Sequence, residues 1–224
     1  MNKVLSQDER QRNGLRERKK AKTRAAIQQE ALRLFREQGY ESTTVEQIAA
    51  SVEVSPSTFF RYFPTKEDVV LYDDLDPVLI EAFEAQPAGL GPIPAMRGAM
   101  RAVFAELSGE EMEQQQQRTA LIMTVPELRM RMLDQFVGIV DLLADAVGKR
   151  VGRDADDFEV RAFAGAIVGV LLAAFLGRES SSTNWEPGAM NYYLTQMDAS
   201  LAYLEAGLPL QPASGFSWRE AASK

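Results

Sequence analysis

The sequence contains neither cysteine nor histidine. Without cysteine the chain has no disulfide bond and no thiol nucleophile, and without histidine it lacks the commonest general base and the commonest metal ligand. A zinc site, a thiol enzyme and a hydrolase triad are therefore excluded or disfavoured. Carboxylate chemistry remains open, but Asp73, Asp74, Asp154, Asp156 and Asp157 are better interpreted as solvated charges at helix ends. We predict no enzyme activity, no metal and no cofactor.

A long apolar segment is also missing. The most apolar stretch, AFAGAIVGVLLAAFLG at residues 162–177, has 16 residues between Arg161 and Arg178, fewer than the about 20 that a membrane-spanning helix needs. We interpret it as a buried helix. The basic N-terminus has no apolar region typical of a secretory signal, so we expect a cytoplasmic protein with no membrane partner.

Charge is divided unevenly along the 224 residues, whose net charge is −7. Residues 1–66 carry 13 Lys/Arg and 8 Asp/Glu, whereas residues 67–224 carry 12 and 24. Nine of the basic residues lie within residues 1–24. This asymmetry indicates a basic head that binds a polyanion and an acidic body that does not. A solvated basic tail would give the same local composition.

Apolar spacing predicts helices along most of the chain, and no period-two alternation typical of strands is present. A first helix is expected over about residues 16–38, with Gly39 as its C-terminal stop. A helix beginning at Lys66 should be kinked or interrupted at Pro77. The prediction is an all-α fold of about nine helices, the later ones near residues 95–107, 110–124, 126–150, 155–178 and 187–206.

Capping patterns place two short helices between these longer ones. Thr43 with Glu46, or Thr44 with Gln47, forms a capping box before a second helix of about two turns. After a tight connection, Ser55 caps a third helix. A short capped helix, a tight turn and a second short helix are the elements of a helix-turn-helix unit, whose second helix enters the major groove of DNA.

The third helix carries four aromatic side chains within residues 57–63, STFFRYF. Phe59 and Phe63 are four residues apart and share one face, which should pack on a small core with Phe35, Ile48 and Val52. The side chains that point elsewhere are Ser57, Thr58, Phe60 and Arg61. As an alternative, Phe60 and Tyr62 pack against the fourth or the first helix.

The segment TTVEQIAASVEVSPSTFFRYFPTKEDVV, residues 43–70, resembles the DNA-binding segment of TetR-type transcriptional regulators. The resemblance covers about residues 18–70, including the first helix that ends FREQGY, and an all-helical body of about 150 residues follows. It implies a disordered basic tail at 1–15, a three-helix DNA-binding domain at 16–66, a larger helical ligand-binding and dimerisation domain at 67–208, and a flexible tail at 209–224.

This resemblance also implies the DNA contacts. Arg61 suits bidentate contact with guanine O6 and N7, and Phe60 suits a thymine methyl group, although the family often has tyrosine there. Base contacts are implied for Ser57, Thr58, Phe60 and Arg61, and phosphate contacts for Arg18, Lys19, Lys22, Thr44, Tyr62 and Lys66.

The family dimerises through its last two long helices, which implies a homodimer here. Small residues in a row let another helix approach to about 8 Å, and the helix predicted near residues 155–178 has such a row. Ordinary packing within one chain is the alternative. The predicted interface consists of Gly165, Gly169, Ala173, Tyr192, Met197 and Leu201.

The middle helices are expected to hold a small-molecule effector, because methionine adapts to irregular shapes. The segment RTALIMTVPELRMR, residues 118–131, resembles a subgroup of the family that responds to acyl-CoA-like ligands, so Arg118, Arg129 or Arg131 could meet a carboxylate or phosphate. Core packing and surface charge are the alternatives. The predicted pocket consists of Met96, Met100, Phe104, Arg118, Leu121, Met123, Arg129 and Phe136.

The leading hypothesis is therefore a TetR-type repressor that binds a palindromic operator as a homodimer and is released by a small apolar or acyl-CoA-like ligand. The alternative is a lipid- or small-molecule-binding helical protein whose basic N-terminus meets acidic membranes. That alternative does not account for the two capped short helices and the turn between them.

Overall fold

The computed structural model describes residues 7–72, 75–175 and 189–209. All regular structure within these ranges is helical, which confirms the predicted all-α fold. The ten helices of the described residues are α1 Gln7–Gln38, α2 Val45–Ser51, α3 Pro56–Tyr62, α4 Lys66–Leu71, α5 Leu75–Glu84, α6 Pro92–Glu106, α7 Gly109–Thr124, α8 Pro126–Val151, α9 Phe158–Phe175 and α10 Ala189–Glu205.

Two helices differ markedly from their predictions. α1 begins at Gln7 and not near Arg16, because the preceding glutamine, glutamate and arginine residues are good helix formers and extend the helix without an apolar face. The predicted fourth helix is divided into α4 and α5. Pro77 lies in the first turn of α5, where its missing N–H removes no intrahelical hydrogen bond.

The described residues divide into two compact units. The first contains residues 7–78 and 103–137 as far as they are described, and the second contains residues 79–102, 138–175 and 189–209. In the first unit α7 packs on α1 and α4. α4, α7 and the start of α8 therefore lie in the same compact unit as the helix-turn-helix. The boundary at residue 66 between the DNA-binding and ligand-binding domains stays a prediction.

α9 and α10 pack together in the second unit. By length and composition α9 could cross a membrane, a test that the core helix of a soluble protein also passes. We expected this helix to be buried, but only 22% of it is buried inside the described structure. One face packs inward while Gly169 and Ala173 are exposed, so the apolar helix has a face without cover in the described part of the chain. Its buried residues are Val160, Ala164, Ile167 and Val168.

Arg150 fixes the end of α5 and the loop that follows it. Its guanidinium donates to the carbonyl oxygens of Phe83 at 3.0 Å, Gln86 at 3.1 Å, Pro87 at 2.7 Å and Leu90 at 3.2 Å. The guanidinium carbon also lies 5.1 Å from the centre of the Phe83 ring. The last carbonyls of a helix have no partner within the helix, and one side chain supplies those donors here.

Replacing Arg150 by methionine is expected to lower the free energy of unfolding by about 3 kcal/mol, because several carbonyls lose a charged donor. The matched control is Lys149→Met on the same turn, where only an exposed ion pair with Glu84 is lost and a change below about 1 kcal/mol is expected. Denaturant unfolding followed by circular dichroism measures both. Equal losses in the two variants would contradict the role of Arg150.

Candidate nucleic-acid interface

The connection between α1 and α2 is fixed by local hydrogen bonds. Gly39 has a φ of 86°, a left-handed conformation that suits glycine, and its N–H donates to the Phe35 carbonyl at 3.0 Å. The Tyr40 ring packs on Phe35 with 5.0 Å between ring centres. Thr43 is 1% exposed and its hydroxyl donates to the Gly39 carbonyl at 2.8 Å. Thr43 therefore closes the connection and does not cap α2.

The capping box of α2 is formed by Thr44 and Gln47, which decides between the two predicted alternatives. The Gln47 N–H donates to the Thr44 hydroxyl oxygen at 3.3 Å, and the Thr44 N–H donates to the Gln47 side chain at 2.8 Å. Thr44 remains exposed. The start of α2 therefore presents a threonine hydroxyl to solvent at a defined position.

A tight turn joins α2 to α3. Glu53 adopts a left-handed φ of 55°, and the Val54 N–H donates to the Ala49 carbonyl at 2.9 Å. Ser55 then caps α3 by accepting the Thr58 N–H at 3.1 Å, with Pro56 in the first helical position. The caps of α2 and α3 and the turn between them fix the orientation of α3 relative to α2.

One face of α3 forms the core of the head, as predicted. Phe59 is 0% and Phe63 1% exposed, and their ring centres lie 6.0 Å apart. Ile48 and Phe35 are also buried, whereas Val52 is only half-buried. The four-residue spacing of Phe59 and Phe63 therefore predicted the buried face of α3 correctly.

The opposite face of α3 is exposed. Phe60 is 49% exposed and stands edge-on to Phe59 at 5.5 Å. Arg61 is exposed, and no ion pair joins it to a carboxylate in the described ranges. We call this surface the exposed face of α3; it consists of the exposed Ser57, Phe60 and Arg61 and the half-buried Thr58.

Hydroxyl groups complete this surface. The Ser55 hydroxyl lies 2.9 Å from that of Ser57 and 3.0 Å from that of Thr58. The guanidinium of Arg61 lies 5.4 Å from the centre of the half-buried Tyr62 ring. Hydroxyls, an aromatic ring and a guanidinium are the groups that read base edges in a major groove.

The N-terminal half of α1 carries exposed basic side chains. Arg18, Lys19 and Lys22 are exposed, and no carboxylate pairs with them in the part of the chain that the structure describes. Residues three and four apart share one side of a helix, so Lys22 lies beside both other cations. Their positive charge is available to a polyanion.

Lys66 is held differently from these cations. Its ammonium donates to the carbonyl oxygens of Tyr40 at 2.9 Å and Thr43 at 3.3 Å, and lies 4.1 Å from the centre of the Tyr40 ring. The Tyr40 hydroxyl donates to Glu67 at 3.1 Å. Burial and the Glu67 carboxylate raise the pKa of the Tyr40 phenol above its ordinary value. Although burial opposes it, hydrogen bonds from its own backbone, Thr65 and Tyr40 lower the pKa of Glu67.

The other end of α4 is tied to α1 and α7. The buried Gln28 donates to the carbonyls of Val69 and Tyr72, both at 2.9 Å, and Arg118 of α7 donates to the Tyr72 carbonyl at 3.4 Å. Arg24 donates to the Tyr72 hydroxyl at 3.2 Å. Sequence reasoning missed Gln28 as a structural residue because a polar side chain on a helix gives no sign of a partner about forty residues away.

The predicted pocket residues divide between the two units. Met96 and Met100 are buried in the second unit, whereas the others belong to the first. Arg129 is exposed there, and the side chain of Phe136 lies outside the described part. The remaining members of the first unit are the half-buried Phe104, Arg118 and Leu121 and the buried Met123.

The predicted interface residues are mostly accessible. Gly169 and Ala173 are exposed on α9 and Tyr192 is 52% exposed on α10, while Gly165 and Met197 are half-buried. Leu201 corrects the prediction: it is 0% exposed and belongs to the core of its own chain. At Gly165 and Gly169, an added Cβ atom would have no neighbouring atom within 4 Å, so the space beside both glycines is open.

Fold and surface together define an all-helical protein with a helix-turn-helix head, and comparisons with known proteins narrow this class. The profile of the MftR C-terminal domain matches residues 90–209, and the profile of bacterial regulatory proteins of the tetR family matches residues 27–72. The chain belongs to the TetR family of transcriptional regulators.

Individual relatives agree with this family. The HTH-type transcriptional regulator TcmR of Streptomyces glaucescens is 42% identical over 151 residues, which cover 64% of this chain and 67% of TcmR. The putative mycofactocin biosynthesis transcriptional regulator MftR of Mycobacterium tuberculosis is 25% identical over 161 residues, covering 70% and 80%.

A solved structure is similar in fold. FadR of Thermus thermophilus, a TetR-family transcriptional repressor in complex with lauroyl-CoA, aligns with a TM-score of 0.53 at 24% identity, covering 87% of this chain and 99% of FadR. The complex of SmeT with triclosan aligns with a TM-score of 0.51 at 20% identity, covering 80% and 90%. These two likenesses establish the fold.

Proposed function

We propose that this TetR-type regulator is a cytoplasmic repressor that binds a palindromic DNA operator as a homodimer and leaves it when a small apolar or acyl-CoA-like effector binds. The observation that carries the proposal is the exposed face of α3. Its polar and aromatic side chains stand on a helix whose buried face and caps hold it rigidly. A rigid helix with such a face fits the major groove.

Base reading is assigned to this face. Arg61 would donate two hydrogen bonds to guanine O6 and N7, and Phe60 would pack on a thymine methyl group. The hydroxyl groups of Ser57 and Thr58 would form hydrogen bonds with donor or acceptor groups on the base edges. Because Phe60 lacks a hydroxyl, it contributes no phosphate contact.

Phosphate contacts are assigned to the groups around α3. The exposed cations Arg18, Lys19 and Lys22 would meet phosphates along α1. Lys66 would meet one at the start of α4, and Thr44 and Tyr62 would donate hydroxyl hydrogens. Such contacts supply affinity and fix orientation, but they carry no sequence information. They also make binding sensitive to salt.

Dimerisation is assigned to α9 and α10. Gly165 and Gly169 offer a row of small residues whose Cβ positions are open, and the face around Gly169 and Ala173 is exposed. An apolar helix with an exposed row of small residues can accept a second helix at close range. Two copies joined there would present two α3 helices to the two halves of a palindrome.

Gly169→Arg is expected to convert the dimer into a monomer, because a long charged side chain would stand where the partner helix must approach. The variant should fold, since the added Cβ meets nothing within 4 Å and arginine favours a helix over glycine by about 0.8 kcal/mol. Analytical ultracentrifugation measures the change. Gly138→Arg, also at an open position on a helix, should remain dimeric; a dimeric Gly169→Arg would refute this interface.

The effector is assigned to the helices of the body. FadR of Thermus thermophilus was solved with lauroyl-CoA, and residues 118–131 resemble the acyl-CoA-responsive subgroup. Within the first unit, Phe104, Leu121 and Met123 would hold an acyl chain, and Arg118 or Arg129 would meet an anionic group. An effector shifts the equilibrium only if it binds the DNA-free state more tightly.

A gel shift with the upstream region of the protein's own gene tests the whole proposal. The expected result is binding that resists competitor DNA, weakens as salt rises and is reversed by lauroyl-CoA but not by free CoA. Binding that competitor DNA abolishes would refute sequence-specific regulation. Binding that lauroyl-CoA leaves unchanged would refute the acyl-CoA assignment alone.

A further inference from the structure

We propose that Ser55 is a positioning residue for base recognition. Its hydroxyl group makes the hydroxyls of Ser57 and Thr58 face DNA with opposite polarity, one as a hydrogen-bond donor and the other as an acceptor. This role rests on the proposed DNA-binding function and deepens it. No base contact is assigned to Ser55 itself, which acts through its two neighbours in addition to capping α3.

The three hydroxyl groups form one connected cluster at the start of α3. The Ser55 hydroxyl oxygen accepts the Thr58 N–H at 3.1 Å. The same oxygen lies 2.9 Å from the hydroxyl oxygen of Ser57 and 3.0 Å from that of Thr58. Both separations lie in the range of an O–H···O hydrogen bond. Ser55 is therefore the common partner of both neighbouring hydroxyls.

The bonding capacity of a single hydroxyl group limits how this cluster can be connected. A serine hydroxyl has one hydrogen to donate and two lone pairs that accept. In Ser55 the Thr58 N–H occupies one lone pair, so one hydrogen and one lone pair remain for two neighbouring hydroxyls. With both hydrogen bonds formed, Ser55 donates to one neighbour and accepts from the other. Ser57 and Thr58 therefore have opposite roles toward Ser55.

This division determines what each hydroxyl offers to a base. The neighbour that donates to Ser55 has used its hydrogen and offers only lone pairs to DNA, whereas the neighbour that accepts from Ser55 keeps its hydrogen for DNA. The two roles can be exchanged, but only for both neighbours at once. The exposed Ser57 and the half-buried Thr58 therefore present one donor and one acceptor on the exposed face of α3.

A donor paired with an acceptor discriminates between bases in the major groove. The first residues of a recognition helix contact base edges there. Adenine presents an acceptor at N7 and a donor at N6, whereas guanine presents two acceptors at N7 and O6. Where both hydroxyls meet one purine, the pair favours adenine and disfavours guanine. Where they meet neighbouring bases, one of these must present a donor and the other an acceptor.

Ser55→Gly tests this role by removing the hydroxyl, since glycine is tolerated at a cap nearly as well as serine. The full-length variant and the wild-type protein each select duplexes from a random pool. Ser57→Ala and Thr58→Val identify the base pairs that these two hydroxyls read. At those base pairs Ser55→Gly should weaken the preference roughly twofold to tenfold, the effect of one neutral hydrogen bond. The guanine assigned to Arg61 should remain enriched.

Ser55→Asp is the second variant, because aspartate caps a helix as well as serine does but only accepts hydrogen bonds. Both neighbouring hydroxyls would then donate to the carboxylate and offer only lone pairs to DNA. Preference at the same base pairs should shift toward adenine and cytosine, whose N6 and N4 groups donate in the major groove. The matched control is Ser55→Thr, which keeps a hydroxyl and should keep the wild-type preference.

An unchanged preference in Ser55→Gly, with affinity equal to the wild type or lowered on all duplexes alike, would overturn the proposal and leave Ser55 as a cap. Loss of the Arg61 guanine in the same variant would also overturn it, because α3 as a whole would have shifted. If Ser55→Gly does not fold, identical preferences in Ser55→Asp and Ser55→Thr overturn the proposal. If the wild-type protein enriches no duplex, the DNA-binding function fails together with this role; if it enriches one and the variants keep its base preferences, only this role fails.

Discussion

Phe59→Ala is expected to lower the free energy of unfolding of the head by about 4 kcal/mol, the cost of emptying a buried aromatic position. Phe59 is 0% exposed, and its ring lies 6.0 Å from that of Phe63. A head this small has little stability in reserve, so amide hydrogens of α2 and α3 should exchange much faster. Hydrogen exchange resolved by residue measures this loss, and DNA binding should disappear with it.

Phe60→Ala is the matched control, because the two phenylalanines are neighbours on the same helix. Phe60 is 49% exposed, and its truncation should change stability by about 1 kcal/mol or less, mainly through the edge contact with Phe59. It should nevertheless weaken DNA binding. Similar losses of stability in both variants would contradict the division of α3 into a core face and an exposed face.

Arg61→Ala is expected to relax the choice of base pair at one position of each half-site. Losing a bidentate contact to guanine reduces discrimination there by about 1–3 kcal/mol, or roughly fivefold to 150-fold. Binding measured on duplexes that differ at single base pairs shows the change, while affinity for unrelated DNA should fall much less.

Lys22→Met is the comparison for this variant, since it also removes one positive charge. It should weaken binding to all duplexes alike, because phosphates carry no sequence information. If both variants altered base preference equally, the assignment of Arg61 to bases and of Lys22 to phosphates would be wrong.

Local patterns predicted the parts of the head that local interactions determine. The Ser55 cap of α3 and the buried pair Phe59 and Phe63 follow from local sequence patterns, and both are present. The choice between Thr43 and Thr44 as cap could not be made from the sequence. It depends on the burial of Thr43 against the end of α1, which a capping pattern does not contain.

Long-range contacts were beyond the reach of these patterns. Lys66 binds carbonyls 23 and 26 residues earlier, and its position at the start of α4 gave no sign of these partners. Arg150 gave no sign that it would bind carbonyls 60 and 67 residues away. Both depend on how helices pack, whereas periodicity specifies only which side of each helix is apolar.

α9 shows the same limit for a helix face. An apolar stretch of 16 residues indicated burial, and the structure buries one side and leaves the row with Gly169 open. Composition cannot distinguish a helix that is buried by its own chain from one that is buried by a second copy of the chain. The arrangement of neighbouring helices is needed to tell which sides of the helix its own chain covers.

Selection of duplexes from a random pool by the wild-type protein tests the central claim most directly, namely that α3 reads DNA as part of a symmetric regulator. Sequencing the enriched duplexes should give one inverted repeat with a guanine at the same position of each half, and an Arg61→Ala selection should lose that guanine. A pool that shows no enriched sequence, or one whose enriched sequence is unchanged by Arg61→Ala, would contradict the account.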